Sequence, residues 1–106
     1  MVDVQSLHDS VVKELVTAIN TGDRDAFSAV LTDNATMSDD GTDRDLREWT
    51  DREIFSSKGN MVVESESDDG LSLVAQFSNA KWGTMRTKWK FFVTNGKITR
   101  FETGQA

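Results

Sequence analysis

The apolar residues of this chain change their spacing once, near Gly59, and that switch restricts the fold more than any single motif. Before it, Val4, Leu7, Val11, Leu15 and Ile19 recur at helical spacing, with Val12 and Val16 widening the stripe. After it, "NMVVESES", "LSLVAQFSNA", "TMRTKWKFFV" and "KITRFET" alternate with period two, the pattern of half-buried strands. Helices first and a meander afterwards predict an α+β domain with its helices on one face of an antiparallel sheet.

Turn chemistry divides the first half. Gly22 stands where a left-handed residue would end the first helix, and Asp23 is a good N-cap for a short second one. Ala26, Phe27, Val30 and Leu31 supply the second helix's buried face before "TDN" stops it. "ATMS" reads as a brief strand ended by "DDG". A third helix is predicted from Thr42 as N-cap, carried on by Leu46, Trp49 and Glu53 or Ile54 and closed by "SSKGN". Asn95-Gly96 demands a two-residue hairpin, because a type I′ turn needs positive φ at both central positions. Such a turn sets the register: Val93 opposite Ile98, Phe91 opposite Arg100 and Trp89 opposite Glu102, all on one face. If that face meets the helices, Arg100 and Glu102 point inward beside Trp89.

The 106 residues suit one domain, taken as residues 1–106, and a chain this short leaves much apolar surface thinly covered. An oligomer or a filled cavity would relieve that. Lys and Arg number 12 against 18 Asp and Glu, a net charge of −6, which argues against partners with phosphate backbones or anionic lipid surfaces. No apolar run approaches the roughly 20 residues that span a bilayer, and the first ten residues lack a basic signal-peptide start. A soluble cytoplasmic protein is expected. The absence of cysteine removes disulfides, thiolate nucleophiles and thiolate metal sites.

"LVTAINTGDRDAFSAVLTDNATMSDDG", residues 15–41, resembles the opening of the nuclear-transport-factor-2-like superfamily, which includes ketosteroid isomerase and the SnoaL-like polyketide cyclases. The shared features are a helix ending in "N-x-G-D", a short helix, and "D-[DN]-A-T" entering the first strand; "VTNGKITRFETG" looks like the last hairpin of that group. The resemblance implies a cone, a cystatin-like α+β barrel: three N-terminal helices in the concave face of a curved sheet, with a pocket inside. It also implies a homodimer formed through the outer sheet face.

Carried onto this sequence, the isomerase's carboxylate base falls on Asp39, its tyrosine on Leu15 and its protonated acid near Trp89. The chain has no tyrosine, so the donors that would stabilise an enolate are missing. The cyclases pair an Asp with a sheet His, whereas the one histidine here, His8, belongs to the start of the first helix. Metal binding finds no support: against a calcium-loop template with Gly41 as the fixed glycine only Asp40 matches, and a single His builds no zinc site. Asp40 and Gly41 read as a turn.

Trp49, Trp82, Trp89, Phe27, Phe55, Phe77 and Phe91 read mainly as core. The candidate ligand pocket comprises Leu15, Trp49, Phe55, Trp89, Phe91, Arg100 and Glu102, with Asp39 as candidate catalytic base and no cofactor. The leading expectation is a dimeric domain binding a small apolar or mildly polar molecule in its cone. The alternatives are an isomerase, cyclase or dehydratase with Asp39 as general base and Arg100 or Trp89 polarising the substrate, and a non-catalytic dimerisation or interaction module whose cone is filled by its own side chains.

Overall fold

The structure, a computed structural model, describes residues 2–106. Asp9 accepts hydrogen bonds from the backbone N–H groups of Val11 and Val12 at 2.9 Å and starts helix α1, Ser10–Thr21. The apolar stripe predicted a start near Val4. That stretch instead forms a separate 3₁₀ turn, Val4–Ser6, because the Asp9 side chain competes for the donors that would extend α1 backwards. Gly22, at φ 69°, closes α1, and Asp23 caps α2, Arg24–Ala29, by accepting from Ala26 N.

Strand β1, Leu31–Asp39, is longer than the four residues predicted. Asp40 and Gly41 take φ of 49° and 84° and make a two-residue hairpin into β2, Thr42–Arg44. Their turn character is as expected, but they lead into a strand and not directly into helix α3, Leu46–Thr50. The N-cap of α3 is accordingly Asp45, which accepts from Glu48 N, and not Thr42. One π-helical turn, Asp51–Phe55, continues α3.

Strands β3, Asn60–Ser67, β4, Ser72–Asn79, β5, Gly83–Thr94, and β6, Lys97–Gln105, form the meander. The six strands lie in the order β2-β1-β6-β5-β4-β3 in one curved sheet that does not close. It is mixed and not purely antiparallel, because β1 runs parallel to β6. The architecture is otherwise the expected α+β one.

One core joins the helices to the concave face. Val12, Leu15, Val16 and Ile19 of α1 meet Met61, Val63, Leu73, Ala75, Phe91, Ile98 and Phe101 of the strands, all essentially inaccessible. Burial of each such side chain contributes about 1.5–3 kcal/mol. Asn20 ties α1 to the edge of the sheet: its amide nitrogen donates to Met61 O at 2.9 Å, and its amide oxygen accepts from Met61 N at 2.7 Å. The side chain thus satisfies edge-strand groups that would otherwise lie unpaired.

The Asn95-Gly96 turn forms with φ of 52° and 76°, and Val93 pairs with Ile98 as expected. The register then slips. Thr99 is an extra residue on β6, so Phe92 faces Arg100, Phe91 faces Phe101, Lys90 faces Glu102 and Trp89 faces Thr103. A one-residue bulge exchanges the faces of everything beyond it. Arg100 and Glu102 therefore stand on the outer face, and Phe101 and Thr103 point inward in their place. The inward ion pair is not formed, which spares the fold the cost of burying it.

Candidate functional site

The interior of the cone is occupied by aromatic side chains. Phe101 has ring neighbours in Phe27 (6.4 Å between centroids), Trp49 (6.2 Å), Trp89 (5.9 Å) and Phe91 (6.4 Å). Trp89 stacks on Phe91 at 6.3 Å, and its indole N–H is used internally, donating to Thr87 Oγ1 at 2.8 Å. Trp89 thus has no N–H to offer a substrate. Leu15 is core, and Phe55 packs edge-to-face on Phe27 under the Arg24 guanidinium. Of the residues expected to line an internal pocket, Leu15, Phe91 and most of Trp89 serve as packing.

Open space is found at the mouth of the cone. A cleft of about 260 Å³ is bounded by Asp39, Trp49, Glu53, Trp82, Met85 and Thr103, with Trp89 at its floor. Asp39 reaches it because β1 alternates: Met37 is inward and buried opposite Phe101, so Asp39, two residues on, is inward opposite Thr103 at the rim. Its Oδ2 accepts from Trp49 Nε1 at 3.1 Å. None of the ion pairs among the described residues involves Asp39.

The neighbouring Asp40 is held apart by its turn. Its N–H donates to Thr103 O, and its Oδ1 accepts from Gln105 N, both at 2.9 Å. A Cβ on Gly104 would lie 2.6 Å from that Oδ1, so glycine is what lets the carboxylate lie against β6.

Sequence reasoning missed Glu53 as a site residue. It sits on the π-helical turn, one turn after Trp49, so the two side chains leave the same helix face. Its Oε1 accepts from Trp82 Nε1 at 2.9 Å. Its Oε2 is buried without a hydrogen bond, and its nearest cations, Arg52 Nε and Lys81 Nζ, stand at 3.7 and 3.9 Å, beyond hydrogen-bond length. The legible signal was the i, i+4 spacing of Trp49 and Glu53. The part that was not legible is Trp82, which arrives from the β4–β5 turn, 29 positions along the chain. Asn79 fixes that turn, accepting from Lys81 N and Trp82 N while donating to Glu53 O. Trp82 (58% exposed) and Met85 (39%) are two of the three large apolar side chains left substantially exposed among the described residues.

Arg100 and Glu102 belong to a different, broader groove of about 660 Å³ on the outer face, together with Lys88, Lys90 and several serines. Arg100 is engaged there: it donates to Asp43 Oδ1 at 2.9 Å, to Glu102 Oε2 at 3.1 Å and to Thr36 Oγ1 at 3.0 Å. Its hydrogen bond and positive charge hold the Asp43 carboxyl below the ordinary range, and the same carboxylates raise the guanidinium further. Arg100 therefore cannot polarise a substrate bound inside the cone. No set of three or more metal-ligating side chains gathers among the described residues.

The fold recurs in solved structures. A candidate polyketide cyclase from Sinorhizobium meliloti superposes with a TM-score of 0.76 at 21% identity, over 96% of this chain and 99% of that one. A nuclear-transport-factor-2-like protein of unknown function from Cytophaga hutchinsonii gives 0.71 at 20% identity, over 100% and 92%. A cystatin-fold protein from Novosphingobium aromaticivorans gives 0.72 at 14% identity, over 91% and 96%. No family model matches the sequence, and no curated protein does. The chain has the nuclear-transport-factor-2-like, SnoaL-like fold that its sequence suggested.

Proposed function

We propose that this domain binds a small molecule at the mouth of its cone and not deep within it. The observation that carries the reading is Asp39: an inward carboxylate at the wall of a cleft, with one indole donor on Oδ2 and exposed apolar surface from Trp82 and Met85 beside it. A ligand pocket joining an apolar wall to a few convergent polar groups has this composition. The supported ligand is compact and carries one polar group that hydrogen-bonds to a carboxylate. The test is a thermal-shift screen of small ring compounds against the wild type and Trp82→Ala. A true ligand at tenfold over its Kd adds about 1.4 kcal/mol of stability and raises Tm by roughly 5 °C or more. Ligands that stabilise both proteins equally would place binding elsewhere.

A second reading is favoured by the same carboxylate. Asp39 as general base would remove a proton α to a carbonyl, in the manner of isomerases and cyclases, with Thr103 and Gln105 among the polar residues that line the same cleft. Several solved proteins of this fold are described as candidate polyketide cyclases, which supports but does not carry the idea. Deuterium exchange into a cyclic enone, lost in Asp39→Asn, would establish it; equal exchange by both proteins would remove it.

The homodimer belongs to the same proposal. Val62, Val74 and Phe92 point from the outer face between Arg86, Lys88 and Lys90, an apolar and charged mixture suited to self-association. Light scattering at micromolar concentration would decide it, a monomer refuting the interface.

A further inference from the structure

We infer that the cleft at the mouth of the cone selects an organic ammonium with an apolar body. The inference rests on the cleft being a ligand site, as proposed above, and adds the charge of what enters. Three carboxylates line the cleft, Asp39, Asp40 and Glu53, and no Lys, Arg or His does so among the described residues. Glu53 has Arg52 and Lys81 beside it, whereas Asp39 and Asp40 enter no ion pair among the described residues; Asp40 is held in the β1–β2 turn by Gln105 N–H, so Asp39 is the carboxylate free to meet a ligand. Trp49 satisfies one oxygen of Asp39 and leaves the other for a donor from outside.

The walls match the same ligand class. The indole of Trp82 is largely exposed at the entrance, with Met85 next to it and Phe77 and Trp49 further in. Indole faces attract cations, and the attraction grows where water is excluded. The protein already shows the arrangement with a group of its own. Lys81 Nζ lies 5.3 Å from the centre of the Trp82 ring and 3.9 Å from Glu53 Oε2, an ammonium shared between an indole face and a carboxylate. Glu53 Oε2 is moreover buried and without a hydrogen bond, a polar atom whose partner the described residues do not supply. A ligand ammonium hydrogen-bonded to the second oxygen of Asp39, with its apolar body on Trp82 and Met85, repeats that arrangement. An anionic ligand of the same shape meets like charge in the cleft and a net charge of −6 on the whole chain.

The test uses the indole N–H resonances of the three tryptophans in the ¹⁵N-labelled chain, titrated at pH 7 with 2-phenylethylammonium, 2-phenylethanol and phenylacetate. The ammonium is expected to shift the Trp49 and Trp82 signals more than that of Trp89, which lies at the floor of the cleft with its N–H bonded to Thr87, and to bind at least tenfold more tightly than the alcohol. Phenylacetate should shift neither. Asp39→Asn should bring the ammonium-to-alcohol affinity ratio close to one. Trp82→Leu, at a position 58% exposed, should lower ammonium affinity several-fold, so the inference stays testable if the Asp39 variant is poorly folded. Equal affinity of alcohol and ammonium, with the same two signals moving, overturns the charge selectivity and leaves the ligand site standing. If no probe moves either signal at millimolar concentration, both the selectivity and the ligand site are refuted.

Discussion

Phe101→Ala tests whether the cone is filled. The Phe101 ring is fully buried and has four aromatic neighbours between 5.9 and 6.4 Å, from α2, α3 and β5. Truncating a buried phenylalanine costs about 3–5 kcal/mol in lost transfer energy and residual cavity. Losing the edge-to-face pairs with Phe27 and Trp49 (interplanar angles of 87° and 61°) places the cost towards the upper end of that range. A domain of this size has about 5–15 kcal/mol in total, so the variant is expected to lose at least about a third of its stability. Phe101→Leu keeps part of the volume and should cost about 1–2 kcal/mol. Urea unfolding followed by tryptophan fluorescence measures both, with near-UV circular dichroism reporting the tryptophan environment. If Phe101→Ala lies within about 1 kcal/mol of wild type, the ring faces an open or wet cavity and the packed interior is refuted. The internal pocket first expected would then return.

Three further outcomes follow from single contacts. Gly70→Ala should destabilise by about 2–4 kcal/mol in the same assay, because Gly70 has φ +87° and an added Cβ would lie 2.7 Å from Asp9 N, at the cap of α1; a neutral result would mean that the β3–β4 turn does not press on that cap. Asp40→Ala should cost about 1 kcal/mol, through loss of the Gln105 N–H bond, and should leave the β1–β2 hairpin amides exchanging faster with solvent; unchanged exchange would separate Asp40 from the hairpin. The acid limb of stability should depend on Arg100. Asp43 has its carboxyl lowered from 3.8 by Arg100, and Glu64 is lowered from 4.5 by hydrogen bonds from Gln76 and Arg86. Groups depressed in the folded state add stability that is fully present above those ordinary values and is lost as pH falls through the lowered ones. Asp43 is exposed and Glu64 partly so, so the effect is small and shrinks further in salt. Arg100→Gln should remove a small stabilisation present at pH 7 and already absent in acid, and so flatten the pH dependence below about pH 4; a steeper acid limb would contradict the pairing.

Much of the fold was legible because local chemistry and burial pattern agreed. Gly22 and Asp23 mark a helix boundary through backbone preference and capping alone, and they do so in the structure. Asn95-Gly96 marks a hairpin for the same local reason. Asp39 was singled out by the family resemblance, and the structure sets it at the end of β1 opposite Thr103, two residues beyond the buried Met37. The register of the last hairpin was misread because a turn fixes pairing only until a bulge intervenes. A clue was present in the spacing of Ile98 and Phe101, both buried and three residues apart, which period two cannot satisfy.

The sequence by itself determined most of the element types and the turns at Gly22, Asp40-Gly41 and Asn95-Gly96, since each depends on residues within a turn or two of one another. Tertiary structure alone decided that β1 runs parallel to β6, that Arg100 and Glu102 face outward, and that aromatic rings from four elements fill the cone. It alone brought Trp82 to Glu53 and Trp49 to Asp39 to form the cleft. These are contacts between distant segments, chosen by packing density and by where a bulge shifts the pleat. No local preference encodes them.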